Sequence, residues 1–276
     1  MEKIRITFIG CGNMGRSLIG GLINNDFPRE QISGTDIDPK QRDLTVSRFG
    51  IEVLDNNEQA IDDADVVVLG VKPQMIRSTL IPLQDVLSRA QPLILSIAAG
   101  IRLEDLCRWS NADLPIVRVM PNTPAMVSTG AAALCANKKV SETQRDIAEH
   151  IMRSVGITIW VDNEDLIDTV TALSGSGPAY YFYFMEIMEK AGIELGLTKE
   201  QSRLLTLQTA LGAAKMALES NDDPEVLRKQ VTSPGGTTEK ALEVLQNNKF
   251  EEIIIKAVRA AFDRSQELAK LLGKEK

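Results

Sequence analysis

The stretch Ile4–Gly15, Ile-Arg-Ile-Thr-Phe-Ile-Gly-Cys-Gly-Asn-Met-Gly, decides the fold of this chain. Its apolar half, Ile4–Ile9, predicts a buried parallel strand, and an apolar-periodic helix follows the glycines. Glycines spaced G-x-G-x-x-G between a strand and a helix are the fingerprint of a dinucleotide site. Gly10 is expected to allow the tight turn, Gly12 the approach of a pyrophosphate, and Gly15 close packing of the helix on the strand. The anion is therefore predicted to bind at the N-terminus of the first helix.

The composition is that of an ordinary globular protein, and its 276 residues suffice for two domains. Hydrophobic residues make up 43% and charged residues 25%, with a net charge of −7 and no long basic run. We therefore expect neither nucleic acid nor a membrane surface as a partner. No stretch has transmembrane length and no secretory leader is evident.

The three cysteines, Cys11, Cys107 and Cys135, are odd in number and lack a paired C-x-x-C spacing. This pattern fits a reducing compartment, so a cytoplasmic location is expected. His150 is the only histidine, and its polar neighbours favour a surface position over a proton shuttle. A metal site is not expected, because zinc in proteins is bound mainly by cysteine and histidine.

Apolar runs separated by helical patterns recur along the first half of the chain. They predict further strands at 31–36, 66–70, 93–97 and 116–120, with added edge strands at 129–135 and 158–161. Such alternation predicts an α/β fold, a doubly wound Rossmann sheet. From Glu164 onward the pattern is helical alone. We therefore predict a dinucleotide-binding domain over residues 1–163 and an all-helical domain for dimerisation and substrate over residues 164–276.

Two acidic residues follow the second predicted strand. Asp36 lies about 20 residues beyond Gly15, where the fingerprint places an acid on the ribose hydroxyls. Together with Asp38 it would repel a 2′-phosphate, which favours NADH over NADPH. The alternative is that Asp36 or Asp38 caps the helix that begins near Pro39.

The carboxyl ends of the later strands should border the same crevice. Lys72, in the turn after residues 66–70, resembles a catalytic base, but a solvated or cofactor-neighbouring lysine is the preferred interpretation. The small residues of the stretch 97–100 would permit close approach of the nicotinamide.

The helical half contains two glycine–hydroxyl elbows, 174–178 and Ser233–Thr238, each followed by a helical pattern. Backbone N–H groups at such a helix start can hold a small carboxylate. The alternative is an ordinary helix cap, with Thr237 or Thr238 at its head. The aromatic run 180–184 is interpreted as core or subunit interface, and the long apolar helices predict a dimer.

In their residues and their order, these motifs resemble the pyrroline-5-carboxylate reductase family. The resemblance covers nearly the whole chain, and its most specific part is the segment from Pro224 to Gln246. The other matching motifs are Gly10-Cys11-Gly12-Asn13-Met14, Val71-Lys72-Pro73, Ala98-Ala99-Gly100, Asn122-Thr123-Pro124 and Leu173-Ser174-Gly175-Ser176-Gly177-Pro178-Ala179-Tyr180.

The resemblance implies NAD(P)H as cofactor and a set of site residues. Its implied cofactor contacts are Ile9, Gly10, Cys11, Gly12, Asn13, Met14, Asp36, Asn57, Gly70, Val71, Lys72, Pro73, Ile97, Ala98 and Ala99. Its implied substrate contacts are Ser233, Gly236, Thr237 and Thr238, with Thr238 as the catalytic residue that hydrogen-bonds the ring nitrogen. It also implies a homodimer through the C-terminal helices, and in some members a larger ring such as a decamer. Many members have hydroxyl or basic residues near the position of Asp36 and prefer NADPH, so the acid here departs from that pattern.

The implied reaction is hydride transfer to the C=N bond of 1-pyrroline-5-carboxylate, which gives L-proline. Two alternatives are open. A reductase of small hydroxy acids on the same plan would need a lysine or histidine as proton donor, and the helical half has no histidine. A non-catalytic NAD(P)H-binding regulatory protein would need no substrate elbow, whereas Ser233–Thr238 is intact.

Overall fold

The computed structural model describes residues 4–274, and a single sheet of eight strands lies within that range. The strands are β1 (Ile6–Ile9), β2 (Ile32–Thr35), β3 (Glu52–Leu54), β4 (Val66–Leu69), β5 (Leu93–Ser96), β6 (Ile116–Met120), β7 (Gly130–Ala136) and β8 (Gly156–Trp160). Their order across the sheet is β3-β2-β1-β4-β5-β6-β7-β8. The first six strands are parallel, β7 is antiparallel to β6, and β8 is parallel to β7. The direction of winding reverses between β1 and β4, which is the switch point where ligands bind in such sheets.

Helices connect these strands and form most of the described chain after β8. They are α1 (Asn13–Asn24), α2 (Pro39–Phe49), α3 (Asn57–Ile61), α4 (Ile76–Leu80), α5 (Gln84–Ala90), α6 (Leu103–Ser110), α7 (Glu142–Arg153), α8 (Leu166–Val170), α9 (Gly177–Glu194), α10 (Lys199–Glu219), α11 (Pro224–Gln230), α12 (Thr237–Asn247) and α13 (Phe250–Lys274). Short 3₁₀ turns occur at Arg29–Gln31, Pro73–Met75, Ile81–Leu83 and Thr123–Val127, and a π-helical turn at Thr171–Gly175.

The predicted α/β fold with a doubly wound sheet is confirmed. Every residue of β1, β4 and β5 is buried, as expected for parallel strands covered by helices on both faces. One apolar cluster packs on each face: Phe8 belongs to the cluster under α1, and Ile9 to the cluster under α4 and α6. Strand β3 was not predicted, because its three residues are too short for a recognisable apolar run.

The chain divides into two compact units. The first contains the residues up to Ser176 together with those from Ala261 onward, and the second is Gly177–Ala260. The predicted division after residue 163 follows the change from strands to helices. The compact units divide later, because α8 and the π-helical turn pack with the sheet. The assignment of functional domains stays a prediction.

The end of the last helix, α13, belongs to the sheet-bearing unit. The Ser265 hydroxyl donates a hydrogen bond of 2.7 Å to the fully buried Asp168 carboxylate in α8. Gly100, at φ +76°, leaves room for Leu272, whose Cδ1 would lie 3.2 Å from a Cβ on that glycine. The C-terminal turns therefore brace the loop that follows β5.

Gly34, a buried residue of β2, provides a test of this packing. A Cβ at position 34 would lie 2.7 Å from the Cys11 Sγ, closer than real Cβ contacts allow. We expect Gly34→Ala to lower the free energy of unfolding by about 1–3 kcal/mol, measured by thermal unfolding at fixed protein concentration. The loss should be smaller in a Cys11→Ala background, where the clashing sulfur is gone. An equal loss in both backgrounds would contradict the assigned contact.

Candidate nucleotide and substrate site

Two glycines of the turn after β1, Gly10 and Gly15, lie against other backbone atoms of the protein. Gly10 has φ +96°, and a Cβ on it would lie 2.8 Å from the backbone of Gly70 and Val71. A Cβ on Gly15 would lie 2.5 Å from the Gly10 carbonyl oxygen. Both glycines are therefore required for β1, α1 and the turn after β4 to approach one another, as predicted for a tight turn and close packing.

Gly12 differs from these two glycines, because the protein does not need it for its own packing. It is the N-cap of α1 at φ −69° and ψ −171°, a conformation open to any residue, and no side chain caps the helix. A Cβ at position 12 would meet nothing within 4 Å. An uncapped helix start with open space above it fits a pyrophosphate, which would accept hydrogen bonds from the first-turn N–H groups.

A cavity of about 470 Å³ opens above this turn, at the carboxyl ends of β1, β2 and β4. Its volume is in the ordinary range for a small-molecule site. Nine of the predicted cofactor residues line it: Ile9, Gly10, Gly12, Asn13, Asp36, Asn57, Gly70, Val71 and Lys72. Asp38, which the sequence analysis placed beside Asp36, also lines it, and the lining residues that sequence reasoning missed are Thr35, Ile37, Gln41, Met75 and Thr79. Thr35 and Ile37 could have been included, since they are the immediate neighbours of Asp36 at the end of β2.

The remaining predicted cofactor residues are not part of this lining. Cys11 is fully buried below the turn, and burial, aided by the charge of Asp36, raises the pKa of its thiol to about 11. The thiol is therefore protonated at neutral pH and unsuited to act as a nucleophile. The other residues outside the lining are Met14, Pro73, Ile97, Ala98 and Ala99.

Asp36 ties the end of β2 to the glycine turn. One carboxylate oxygen accepts from the Cys11 N–H and the other from the Asp38 N–H, each at 2.9 Å. Asp38 is the N-cap of α2, where its side chain accepts from the Lys40 N–H at 2.9 Å. The capping alternative is thus confirmed for Asp38 and wrong for Asp36.

Two arginines lie beside the glycine turn and Asp36. Arg16 is nearly buried, and its guanidinium donates to the Cys11 carbonyl oxygen and to the side chains of Asn13 and Gln41. Arg42 donates to the Asp36 carbonyl oxygen at 2.8 Å. The charges of both side chains are therefore engaged in shaping the turn. Position alone could have suggested Arg16, which directly follows the fingerprint.

Lys72 and His150 are the two residues that the sequence analysis considered for acid–base chemistry. Lys72 is exposed, in agreement with its interpretation as a solvated neighbour of the cofactor cavity. His150 lies in the last turn of α7 and is half-buried. In residues 4–274 no cluster of histidine, cysteine or acidic residues has an arrangement suited to a metal ion.

The first elbow, residues 174–178, begins inside a helical turn. Thr171–Gly175 forms a π-helical turn that continues from α8, and the Ser176 N–H donates to the Thr171 carbonyl oxygen at 2.8 Å. It lies in the sheet-bearing unit, where the Asn122 side chain donates to Ser174. Residues 174 and 175 of this elbow are therefore π-helical, whereas Ser176 is a bend and Gly177 and Pro178 begin α9.

The second elbow, Ser233–Thr238, lies in the other unit. Gly235 has φ +71°, and its N–H donates to the Glu239 carboxylate at 2.7 Å. The N-cap of α12 is Gly236, with no side-chain cap, so the alternative with Thr237 or Thr238 as the cap is wrong. Both threonines lie in the first turn of α12. Neither hydroxyl has a hydrogen-bond partner among the residues that the structure describes.

The second unit leaves much apolar surface uncovered in the single chain. Large side chains of α9 and α10 are strongly exposed, for example Tyr183 at 64%, Leu211 at 62% and Leu218 at 82%. Soluble proteins rarely leave contiguous patches of this kind uncovered. No helix among residues 4–274 is both long enough and apolar enough to cross a membrane.

Two family models match the chain. The model described as pyrroline-5-carboxylate reductase dimerisation matches residues 164–268, and the model described as NADP oxidoreductase, coenzyme F420-dependent, matches residues 5–100. The first match and the exposed faces of α9 and α10 both indicate a homo-oligomer. The second indicates a dinucleotide cofactor of the NADP type.

Whole proteins of the same kind match over their full length. A pyrroline-5-carboxylate reductase of Pseudomonas aeruginosa is 50% identical over 273 residues, which are 99% of this chain and 100% of the relative. The structure of such a reductase from Coxiella burnetii superposes with a TM-score of 0.92 at 46% identity, covering 96% of this chain and 98% of that one. The Plasmodium falciparum pyrroline carboxylate reductase with NADP bound gives a TM-score of 0.86 at 32% identity, covering 98% and 99%. On this evidence the chain belongs to the pyrroline-5-carboxylate reductase family.

Proposed function

We propose that this chain catalyses the reduction of 1-pyrroline-5-carboxylate to L-proline with a reduced nicotinamide dinucleotide, as the last step of proline biosynthesis. The observation that carries the proposal is the match, over nearly the entire chain, to the Pseudomonas aeruginosa reductase of that name. The open space at Gly12 supports a dinucleotide in particular. Gly10 and Gly15 are needed for packing within the protein, whereas nothing in the protein requires a glycine at position 12.

The dinucleotide would be held by the turn that follows β1 and by the carboxyl ends of the neighbouring strands. Gly12 and the first-turn N–H groups of α1 would hold the pyrophosphate, and Asp36 the ribose hydroxyls. Ile97, Ala98 and Ala99, after β5, would border the nicotinamide. When bound, the reduced nicotinamide supplies the hydride.

The substrate would be held by Ser233, Gly236, Thr237 and Thr238. The N–H groups at the start of α12 would bind its carboxylate, and the unpartnered Thr238 hydroxyl would hydrogen-bond the ring nitrogen, accepting from its N–H in the iminium form. An iminium carbon already attracts hydride, so the protein need not provide a strong acid. Most of the rate enhancement would come from holding the reactants in the reactive geometry. This requirement agrees with a chain whose single histidine lies on α7.

The alternatives are weaker on chemical grounds. Reduction of a hydroxy acid's carbonyl precursor creates an alkoxide, which needs a proton donor. Two lysines of the helical half are candidates for that donor. Lys190 of α9 pairs with Glu186, one helical turn earlier, at 2.6 Å, and Lys199 is the first residue of α10. A regulatory protein without turnover would have no use for the threonines of Ser233–Thr238.

For the assembly we propose a homodimer through the C-terminal helices, which can associate further into a larger ring such as a decamer, and a location in the cytoplasm. The exposed apolar faces of α9 and α10 support the dimer. Light scattering of the purified protein would measure the size of the assembly.

We further propose that the chain favours NADH. Asp36 and Asp38 both line the cofactor cavity, and the two carboxylates would repel a 2′-phosphate. We expect Asp36→Ser to raise the ratio of kcat/KM for NADPH to that for NADH by about tenfold. Because the ratio compares two cofactors on one protein, it cancels any general loss from the hydrogen bonds that Asp36 makes.

Asp38→Ser is the matched control for this prediction. Serine is as good an N-cap as aspartate, so α2 keeps its cap while the second carboxylate is removed. The ratio should change less than in Asp36→Ser. An unchanged ratio in Asp36→Ser would show that this carboxylate only holds the turn together.

The proposed function is tested by incubating the purified protein with 1-pyrroline-5-carboxylate and either NADH or NADPH. We expect oxidation of the cofactor with stoichiometric appearance of L-proline. Tight binding of the cofactor without turnover would overturn the proposal and favour the regulatory alternative.

A further inference from the structure

The π-helical turn Thr171–Gly175 interrupts what is otherwise one helical path from α8 into α9. Its defining hydrogen bond joins the Ser176 N–H to the carbonyl oxygen of Thr171, five residues earlier, at 2.8 Å. Turns of this kind are rare and less stable than the α-helix, and they occur often at functional sites. Some feature of the sequence must therefore disfavour the α-helix here, and some contact must stabilise the π-helical turn.

The cause lies in the sequence at Pro178. In an α-helix the carbonyl of Ser174 would accept from the N–H of the residue four positions later, which is Pro178. Proline has no N–H, and its ring clashes with the carbonyl at that distance. The carbonyl of Ser174 thus cannot accept the hydrogen bond that an α-helix would give it.

Asn122 supplies the missing donor from a different part of the chain. Its Nδ2 lies 3.3 Å from the Ser174 carbonyl oxygen and 3.2 Å from the Ser174 Oγ. Its Oδ1 accepts from the Ala131 N–H at 2.9 Å, which fixes the amide against the start of β7. Donor and acceptor sides of the amide are both used, so its orientation is well determined.

The supported turn lies at the functional edge of the sheet. A Cβ on Gly175 would lie 2.3 Å from the Met120 Cε, so the turn packs directly against the last residue of β6. Strand β6 neighbours β5, whose following residues 97–99 we propose to border the nicotinamide. A shift of Ser174 and Gly175 would therefore disturb Met120 at the end of β6, next to the strand whose following residues we propose to border the nicotinamide.

We propose that Asn122 is a positioning residue for imine reduction: it replaces the donor that Pro178 lacks and so holds the Ser174–Gly175 turn beside the end of β6. This inference rests on the proposed function. Asn122 acts through the turn, without contact with the reacting atoms.

The first test is Asn122→Asp, which keeps the acceptor for the Ala131 N–H and removes both donors to Ser174. We expect kcat to fall about tenfold to hundredfold, as for a small misplacement near the reaction. The dissociation constant of NADH should stay within about twofold, because the cofactor cavity is lined by other residues. Asn122→Ala, which adds no charge, should show the same split.

Thr129→Ala is the matched control, since it removes a hydrogen bond to the Pro124 carbonyl oxygen in the same loop without touching Ser174. Its kcat should equal that of the wild type. A wild-type kcat in both Asn122 variants, or parallel losses of kcat and NADH affinity, would overturn the proposal. Absence of imine reduction in the wild type would instead overturn the proposed function.

A double-mutant cycle with Pro178→Ala tests the cause directly. Alanine restores an N–H four residues after Ser174, so the carbonyl no longer depends on Asn122. We expect Asn122→Ala to lower kcat by no more than about threefold in that background, against about tenfold or more in the wild type. An equal loss in both backgrounds would show that Asn122 does not compensate for the proline.

Discussion

Replacing Gly12 with alanine is expected to weaken dinucleotide binding by about a hundredfold while leaving the fold intact. The backbone at Gly12 is in the extended region and the added Cβ meets no protein atom within 4 Å, so the apo protein should tolerate it. The space that the methyl group fills is the space proposed for the pyrophosphate. Losing one or two charged hydrogen bonds to first-turn N–H groups costs about 1.5–3 kcal/mol each, which accounts for the size of the effect.

Isothermal titration with NADH and NADPH measures this effect, and thermal unfolding without cofactor checks the fold. Gly15→Ala is the informative contrast, because its Cβ would lie 2.5 Å from the Gly10 carbonyl oxygen. That variant should lose stability in the absence of any cofactor. Unaltered cofactor affinity in Gly12→Ala would show that the pyrophosphate does not bind at this turn.

The second large effect is expected at Thr238. Thr238→Ala should lower kcat by about tenfold to hundredfold, because removal of one positioned hydrogen-bonding group at a reacting centre typically costs that much or more. Residue 238 lies in the first turn of α12 and makes no cap, so alanine should not disturb the helix. The affinity for NADH should change little, since Thr238 is not part of the cofactor cavity.

Thr238→Ser is the matched control for this prediction. It retains the hydroxyl and should recover most of the lost turnover, as measured by initial rates at saturating cofactor. If Thr238→Ala turns over as fast as the wild type, the hydroxyl has no part in the reaction.

The order of strands and helices was predictable because their patterns are long and unambiguous. The apolar runs of β1, β4 and β5 are buried at every position, and a parallel sheet with helices on both faces is the arrangement that buries them. Strand β3 was not predictable from its three residues, Glu52–Leu54, one of which is exposed. Its place depends on pairing with β2, which is a tertiary interaction.

The roles of the site residues were less predictable, because they depend on which partner each polar group finds. Local spacing allowed either Asp36 or Asp38 to cap α2. In the structure Asp36 accepts from the Cys11 N–H across the turn, and Asp38 caps the helix. Ser174 and Gly175 of the first elbow are residues typical of a cap, yet they belong to a π-helical turn to which Asn122 donates. Sequence identifies such segments, whereas long-range hydrogen bonds determine their conformation.

The proposed function requires two segments to meet in the assembled protein: the pocket for the nicotinamide and the elbow that carries Thr238. The most direct test is a crystal structure of the assembled protein with NADH and L-proline, the product. We predict the Thr238 hydroxyl within hydrogen-bond distance of the proline nitrogen and the proline ring against the nicotinamide, with both groups contributed by one chain or by two neighbouring chains. Finding Thr238 remote from every nicotinamide in the assembly would contradict the account.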